Sequence, residues 1–329
     1  MTTQATTCSF HPDVETALTC TLCDRPACPD CLTMAAVGQH CDGCTKGRPA
    51  ANEKGKAAFR VREAVVGVDD YQRLRRPSKL FFVVLATFLG CCFAAWFVEP
   101  ADDVAYGTAA KATSIFVVIS GAVVGLMFHE WAHAIVAYRG GDRSVADKGY
   151  LTMDVRHYSD PMLSIAMPIA FLMLGGLPLP GGAVWINRHR LRSKWWETAV
   201  SLAGPAINFV AACAIFGLVE SGIFGERYIL MGALSWLAFI EVGIVILNLL
   251  PIPGLDGFGA IEPHLPDSVR AALLPLRQIT FVLLLFFIMS PAGDVIWAGA
   301  RGFTDVVGID RAFVAYGEEL ASPRLFNFD

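Results

Sequence analysis

The sequence is short of charge. Asp, Glu, Lys and Arg make up 17% of its 329 residues, against about 25% in an ordinary soluble domain. That is too little to cover the surface of a water-soluble chain of this length. Low hydrophobicity is missing as well: the hydrophobic set reaches 54% and mean hydropathy is +0.50, which excludes a disordered chain. The net charge of −4 singles out no class of partner. Residues 1–20 have neither the basic n-region nor the apolar h-region of a secretory signal, so the N-terminal piece is expected in the cytoplasm. What is present is uneven: seven of the ten cysteines precede residue 45. A small, polar, cysteine-rich head and a large apolar body share one chain.

The body opens with LFFVVLATFLGCCFAAWFV at 80–98, 19 residues without a charge. A helix needs about 20 such residues to cross roughly 30 Å of hydrocarbon. Before it, residues 45–79 hold ten Lys/Arg against four Asp/Glu, and after it comes EPADD. The positive-inside rule then places the N-terminus in the cytoplasm and 99–110 outside. Further apolar runs lie at 112–137, 161–186, 196–218, 229–250 and 272–290. Basic clusters at 139–156 and 187–194 flank the third run on both sides. A Gly/Pro-rich re-entrant hairpin keeps both clusters inside and is preferred over a single crossing, since irregular backbone is tolerated at membrane depth where protein surrounds it. The last run crosses once or hairpins with 291–300. The fold class expected is an α-helical polytopic membrane protein of about five to six membrane segments.

The second run contains GLMFHEWAHAIVA, residues 125–137. His129 and His133 are four apart, so on a helix both imidazoles leave one face and can hold one metal, with Glu130 beside the first as base. Ionisable groups inside an otherwise uncharged span are costly and point to function. A catalytic zinc site usually has a third protein ligand. Asp256, in the Pro/Gly-rich turn NLLPIPGLDG at 248–257, is one candidate, and Glu241, deeper in the same span, is its rival.

These motifs together resemble the site-2 protease family of intramembrane zinc metalloproteases. Its members pair HExxH in a transmembrane helix with a second motif, N-x-x-P-x-P-x-L-D-G. Asn248, Pro251, Pro253, Leu255, Asp256 and Gly257 match that second motif. SLAGPAINF at 201–209 resembles the Gly-Pro and Asn of a further core helix, at Gly204, Pro205 and Asn208, and the glycines and prolines of 175–182 resemble the family's membrane-edge hairpin. The resemblance spans about residues 112–262. It implies that His129, His133 and Asp256 bind a catalytic zinc and that Glu130 is the general base. It also makes Asn208 and Asn248 candidates for holding an extended substrate or stabilising the oxyanion. The implied activity is a zinc endopeptidase that cuts a transmembrane protein, a membrane-anchored regulator, in a bacterial plasma membrane. The rival from another class is a metal-ion or proton transporter using the same His/Glu/Asp cluster, but the paired repeats of discontinuous helices expected there are not evident. An inert scaffold presenting the head is the third alternative.

The head carries Cys8, His11, Cys20, Cys23, Cys28, Cys31, Cys41 and Cys44 in four pairs of two-residue spacing. Eight ligands make two tetrahedral zinc sites, and an odd number of cysteines without an export signal argues against disulfides. The head resembles a B-box-type zinc finger. In the cross-braced form this implies, Cys8, His11, Cys28 and Cys31 take one structural zinc, and Cys20, Cys23, Cys41 and Cys44 the other, with His40 able to replace Cys41. Arg25, Lys46 and Arg48 face Asp13, Glu15, Asp24, Asp30 and Asp42, so no basic surface invites nucleic acid. A regulatory protein is the expected partner of the head.

The domains read from the sequence are therefore a double-zinc head at 1–45, a basic cytoplasmic linker at 46–79 that can tether to the lipid bilayer, a transmembrane protease domain at 80–300, and a tail at 301–329. The tail is expected to be a surface element with a short amphipathic helix around 308–320. His157, His189 and His264 are read as surface or loop residues.

Overall fold

Four apolar stretches of spanning length form helices in the computed structural model, which describes residues 6–16, 18–20, 23, 25–34, 39–41, 44, 76–98, 107–157, 185–280, 284, 287, 290 and 293–321. It divides into two units, Met1–Asp70 and Tyr71–Asp329.

In the second unit α1 is Lys79–Trp96, α2 Thr108–Gly140, α3 the short Ser144–Asp147, α4 Lys194–Glu220 and α5 Tyr228–Asn248. Among the described residues, α1, α2, α4 and α5 are the four helices long and apolar enough to cross a membrane. The Ser78 hydroxyl starts α1 by accepting from the Phe81 amide at 3.1 Å. Phe82, Val83, Leu89, Phe93 and Phe97 of this segment stay exposed, the surface that lipid would cover. The hydrophobic window of α1 is 11% buried and that of α5 is 89% buried, so α5 is the axis around which the others pack.

Glycines set the helix registers. A side chain at Gly140 would meet Leu191 and Trp196, and one at Gly204 would meet His129 and His133, so α2 and α4 run antiparallel. Gly121 faces Leu237 and Gly125 faces Glu241, a constant offset that makes α2 and α5 parallel. α2 ends at Gly141, whose φ of +124° suits glycine. The chain is then clamped by Asp142, which is 0% exposed and accepts from the Ser144 amide at 3.1 Å, the Ser144 hydroxyl at 2.6 Å and the Asn187 amide at 2.6 Å. Asp142→Ala strands these donors and is expected to destabilise the second unit by about 2–3 kcal/mol. Thermal unfolding in detergent checks this, and an unchanged midpoint would exclude the clamp.

Beyond α5 come α6 (Asp256–Ile261), α7 (Asp267–Leu273), α8 (Asp294–Val307) and α9 (Arg311–Ala321). The short amphipathic helix expected around 308–320 is α9, and the tail packs one face inward rather than lying only on the surface. Ile296, Ala300 and Thr304, four residues apart, turn one face of α8 inward, and Trp297 stacks on Phe239 with ring centroids 5.7 Å apart. α9 crosses α5 where Gly317 meets Gly232, and its Leu320 is 1% exposed. α8 also runs through the boundary drawn at residue 300. The start of the run at 272–290 is divided between α7 and the 3-10 turn Leu274–Ile279. The hairpin expected at 161–186 and the linker at 46–79 lie largely outside the described residues.

In the head, β1 (Thr6–Thr7) pairs with β2 (Glu15–Thr16), and β3 (Leu32–Met34) with β4 (Gln39–Cys41), both antiparallel. Its buried apolar cluster is Cys8, Cys20, Ala27, Cys28 and Cys41. Four of these five residues are cysteines, so the head has little apolar core of its own.

Candidate metal centre

The last third of α2 carries His129, Glu130 and His133, all buried at 5–7% exposure. One helical turn separates the imidazoles and stacks them edge to face, with ring centroids 4.7 Å apart. Their Nε2 atoms lie 3.0 Å from each other, and Asp256 Oδ2 lies 3.2 Å from His129 Nε2 and 3.4 Å from His133 Nε2. Three donor atoms thus converge on one point. A tetrahedral ion with bonds of about 2.0–2.1 Å separates its ligands by roughly 3.3 Å, so the donor set fits zinc. Glu241, the rival third ligand, is not in this group.

The helix behind the site is shaped for it. At Gly204 an added Cβ would lie 2.5 Å from His129 Nε2 and would also collide with His133 Nε2. Pro205 follows, without an N–H and with a ring that crowds the carbonyl of Ser201, four residues back. The neighbouring carbonyl, of Val200, accepts from His133 Nδ1 at 2.6 Å. With Nδ1 as donor, neutral His133 presents the Nε2 lone pair to the metal.

Asp256 reaches the site from a folded-back loop. Gly254 has φ +104° and sits against Thr280, whose hydroxyl donates to the Pro253 carbonyl. A side chain at Gly257 would come within 2.7 Å of the Leu250 carbonyl oxygen, so glycine lets α6 start directly over the end of α5. α6 is fastened to α4 by Thr198 Oγ1, which donates to the Ala260 carbonyl at 2.8 Å, and just outside the two helices Arg188 donates to Glu262 at 2.6 Å. Sequence reasoning missed Val200, Thr198, Arg188 and Glu262. Of these, only the charge pair left any trace in the sequence.

Asn208 and Asn248 are buried, 3% and 4% exposed. Asn248 is the final residue of α5, while Asn208 stands one turn beyond Gly204 on α4. His157, His189 and His264 are exposed, as read from the sequence.

The head brings Cys8, His11, Cys28 and Cys31 together in one group and Cys20, Cys23, Cys41 and Cys44 in another, while His40 lies outside both. His11 Nδ1 is 3.4 Å from Cys28 Sγ and 3.2 Å from Cys31 Sγ, and Cys23 Sγ is 3.7 Å from Cys41 Sγ. Burial acts to raise the Cys8 thiol, but the amides of Cys28 and Phe10 outweigh it and bring the pKa down to about 6. Burial, with Cys28 and Cys8 alongside, pushes Cys31 up to about 12. Such crowding of thiolates is relieved by a cation.

A zinc metalloprotease housed in a membrane bundle is the class that the α2–α6 arrangement defines. Comparison with known proteins agrees. The chain is 38% identical over 254 residues to "Putative zinc metalloprotease Rip2" of Mycobacterium tuberculosis, covering 75% of this chain and 93% of that protein. The Mycolicibacterium smegmatis protein of the same name is 36% identical over 252 residues, 74% of this chain and 93% of the relative. "Putative zinc metalloprotease YwhC" of Bacillus subtilis is 31% identical over 185 residues, 53% and 81% of the two chains. No family model and no solved structure matches. The chain belongs to the site-2 protease family of zinc metalloproteases.

Proposed function

We propose that this protein is an intramembrane endopeptidase that cuts a membrane-spanning protein, a membrane-anchored regulator. The observation that carries the reading is the convergence of His129, His133 and Asp256 within 3.0–3.4 Å of one another, next to buried Glu130, among helices of spanning length. Zinc held by these three side chains would polarise the scissile carbonyl and make water a better nucleophile. The chain's own groups do the rest. The Glu130 carboxylate takes a proton from the attacking water as its oxygen bonds to the carbonyl carbon. It then delivers that proton to the amide nitrogen as the C–N bond breaks. His133 keeps its Nε2 free by donating from Nδ1 to Val200. Asn248, at the end of α5 beside the Pro251–Gly257 loop, is suited to hold an unwound stretch of substrate backbone.

On the same reading the chain binds three zinc ions, one at this site and two in the head, and lies multi-pass in a bacterial plasma membrane with its N-terminus in the cytoplasm. The head takes a regulatory protein. Purified full-length protein is expected to hold three equivalents of zinc and to cleave single-span test proteins in detergent. Cleavage should be lost on chelation and restored by zinc. Zinc-loaded protein that cuts no member of a broad single-span panel would sink the reading.

A further inference from the structure

One buried acid has no place in the chemistry above. Glu241 is 2% exposed in the most enclosed helix of the bundle, and its Oε2 has no hydrogen-bond partner among the described residues. An ionised carboxylate without a partner is very costly there, and a neutral one still needs an acceptor for its proton. Its neighbour on α2 is Gly125, where an added Cβ would collide with Oε1 and lie 3.0 Å from the carboxyl carbon. Glycine in mid-helix is less favourable than alanine. Two residues poorly suited to their helices therefore meet at one contact, the pattern of a functional position.

A third helix contributes to the same height. The antiparallel register sets Gly140 against Trp196, His133 against Val200 and His129 against Gly204. One further turn on each helix brings Asn208 level with Gly125. Asn208 is 3% exposed, and its Oδ1 is also without a partner among the described residues. Two buried oxygens without a partner among the described residues, on different helices, thus lie at the height of Gly125, where the missing side chain makes room for the Glu241 carboxyl. A buried water makes about two to four hydrogen bonds to buried polar groups that otherwise lack a partner, and Glu241 and Asn208 are two such groups.

We propose that Glu241 and Asn208 hold water at the height of Gly125, one turn along α2 from His129, and that this layer supplies the water consumed in hydrolysis. The supply role rests on the peptidase reading; the water site does not. X-ray hydroxyl-radical footprinting of the full-length protein in nanodiscs detects fixed water beside buried side chains. The segment 237–245 is expected to be labelled in the wild type and about fivefold less in Glu241→Leu. In the same variant, cleavage of a single-span test protein should fall about tenfold with zinc content unchanged. Glu241→Gln, which keeps polar atoms in place, should stay within about threefold. Should Glu241→Leu fail to fold, Asn208→Leu carries the same footprinting test. An unlabelled wild-type segment, or equal labelling in the leucine variants, overturns the site. Reduced labelling with unchanged cleavage overturns the supply role. A labelled chain that cuts nothing overturns the peptidase reading and leaves the water site standing.

Discussion

Gly204→Ala is expected to empty the membrane metal site while the helices stay folded. The new methyl carbon would stand 2.5 Å from His129 Nε2 and 2.6 Å from its Cε1, and would collide with His133 Nε2. The two Nε2 atoms are the ones that would face the ion. His133 has little room to turn away, because its Nδ1 is tied to the Val200 carbonyl on the same helix that would carry the methyl. Local helix propensity moves the other way, since alanine favours the helix by about 1 kcal/mol over glycine. Zinc should therefore fall by one equivalent per chain and cleavage should become undetectable, with the far-ultraviolet circular dichroism unchanged. A variant that kept its zinc and its activity would mean that α4 can withdraw from the imidazoles, and the close-packed wall would be wrong.

Glu130→Gln should have an effect of similar size by a different route. The amide has nearly the shape of the carboxylate but does not take up a proton from water. Loss of a positioned general base costs about 10²–10⁴-fold in rate, and on the proposed mechanism the same group would also protonate the leaving nitrogen. Turnover is expected to drop by about 10³-fold or more while the zinc content stays at the wild-type value. The two variants thus separate holding the ion from moving the proton. Near-normal turnover in Glu130→Gln would take the base role away from this residue.

Much of the site could be read from the chain because its chemistry is tied to local periodicity. His129 and His133 share a helix face by their spacing alone, and the prolines and glycines around Asp256 announce a sharp turn before any coordinates are known. The cysteine pairs of the head likewise carry their geometry in a two-residue spacing. The supports were harder to see. The group that orients His133 is a main-chain carbonyl 67 residues away, and every residue has one. Gly204 stood out only as part of a motif; that its missing side chain makes room for two imidazoles is a property of how α2 and α4 meet. α8 and α9 were underestimated for a related reason. They are short and carry Arg301, Asp305 and Arg311 on their outer faces, so their composition resembles a surface, while the inward faces acquire meaning only against α5.

That enclosure of α5 bears on biogenesis. Synthesis proceeds from the N-terminus, so the helix that ends at Asn248 leaves the ribosome well before residues 294–321 that complete its walls. Trp236 and Phe239 gain their stacking partner Trp297, and Gly232 its partner Gly317, only as the final helices arrive. The nascent chain passes through a stage in which HExxH is already made but the central helix is still open on one side. Closure of the central helix therefore waits for the last helices to be made.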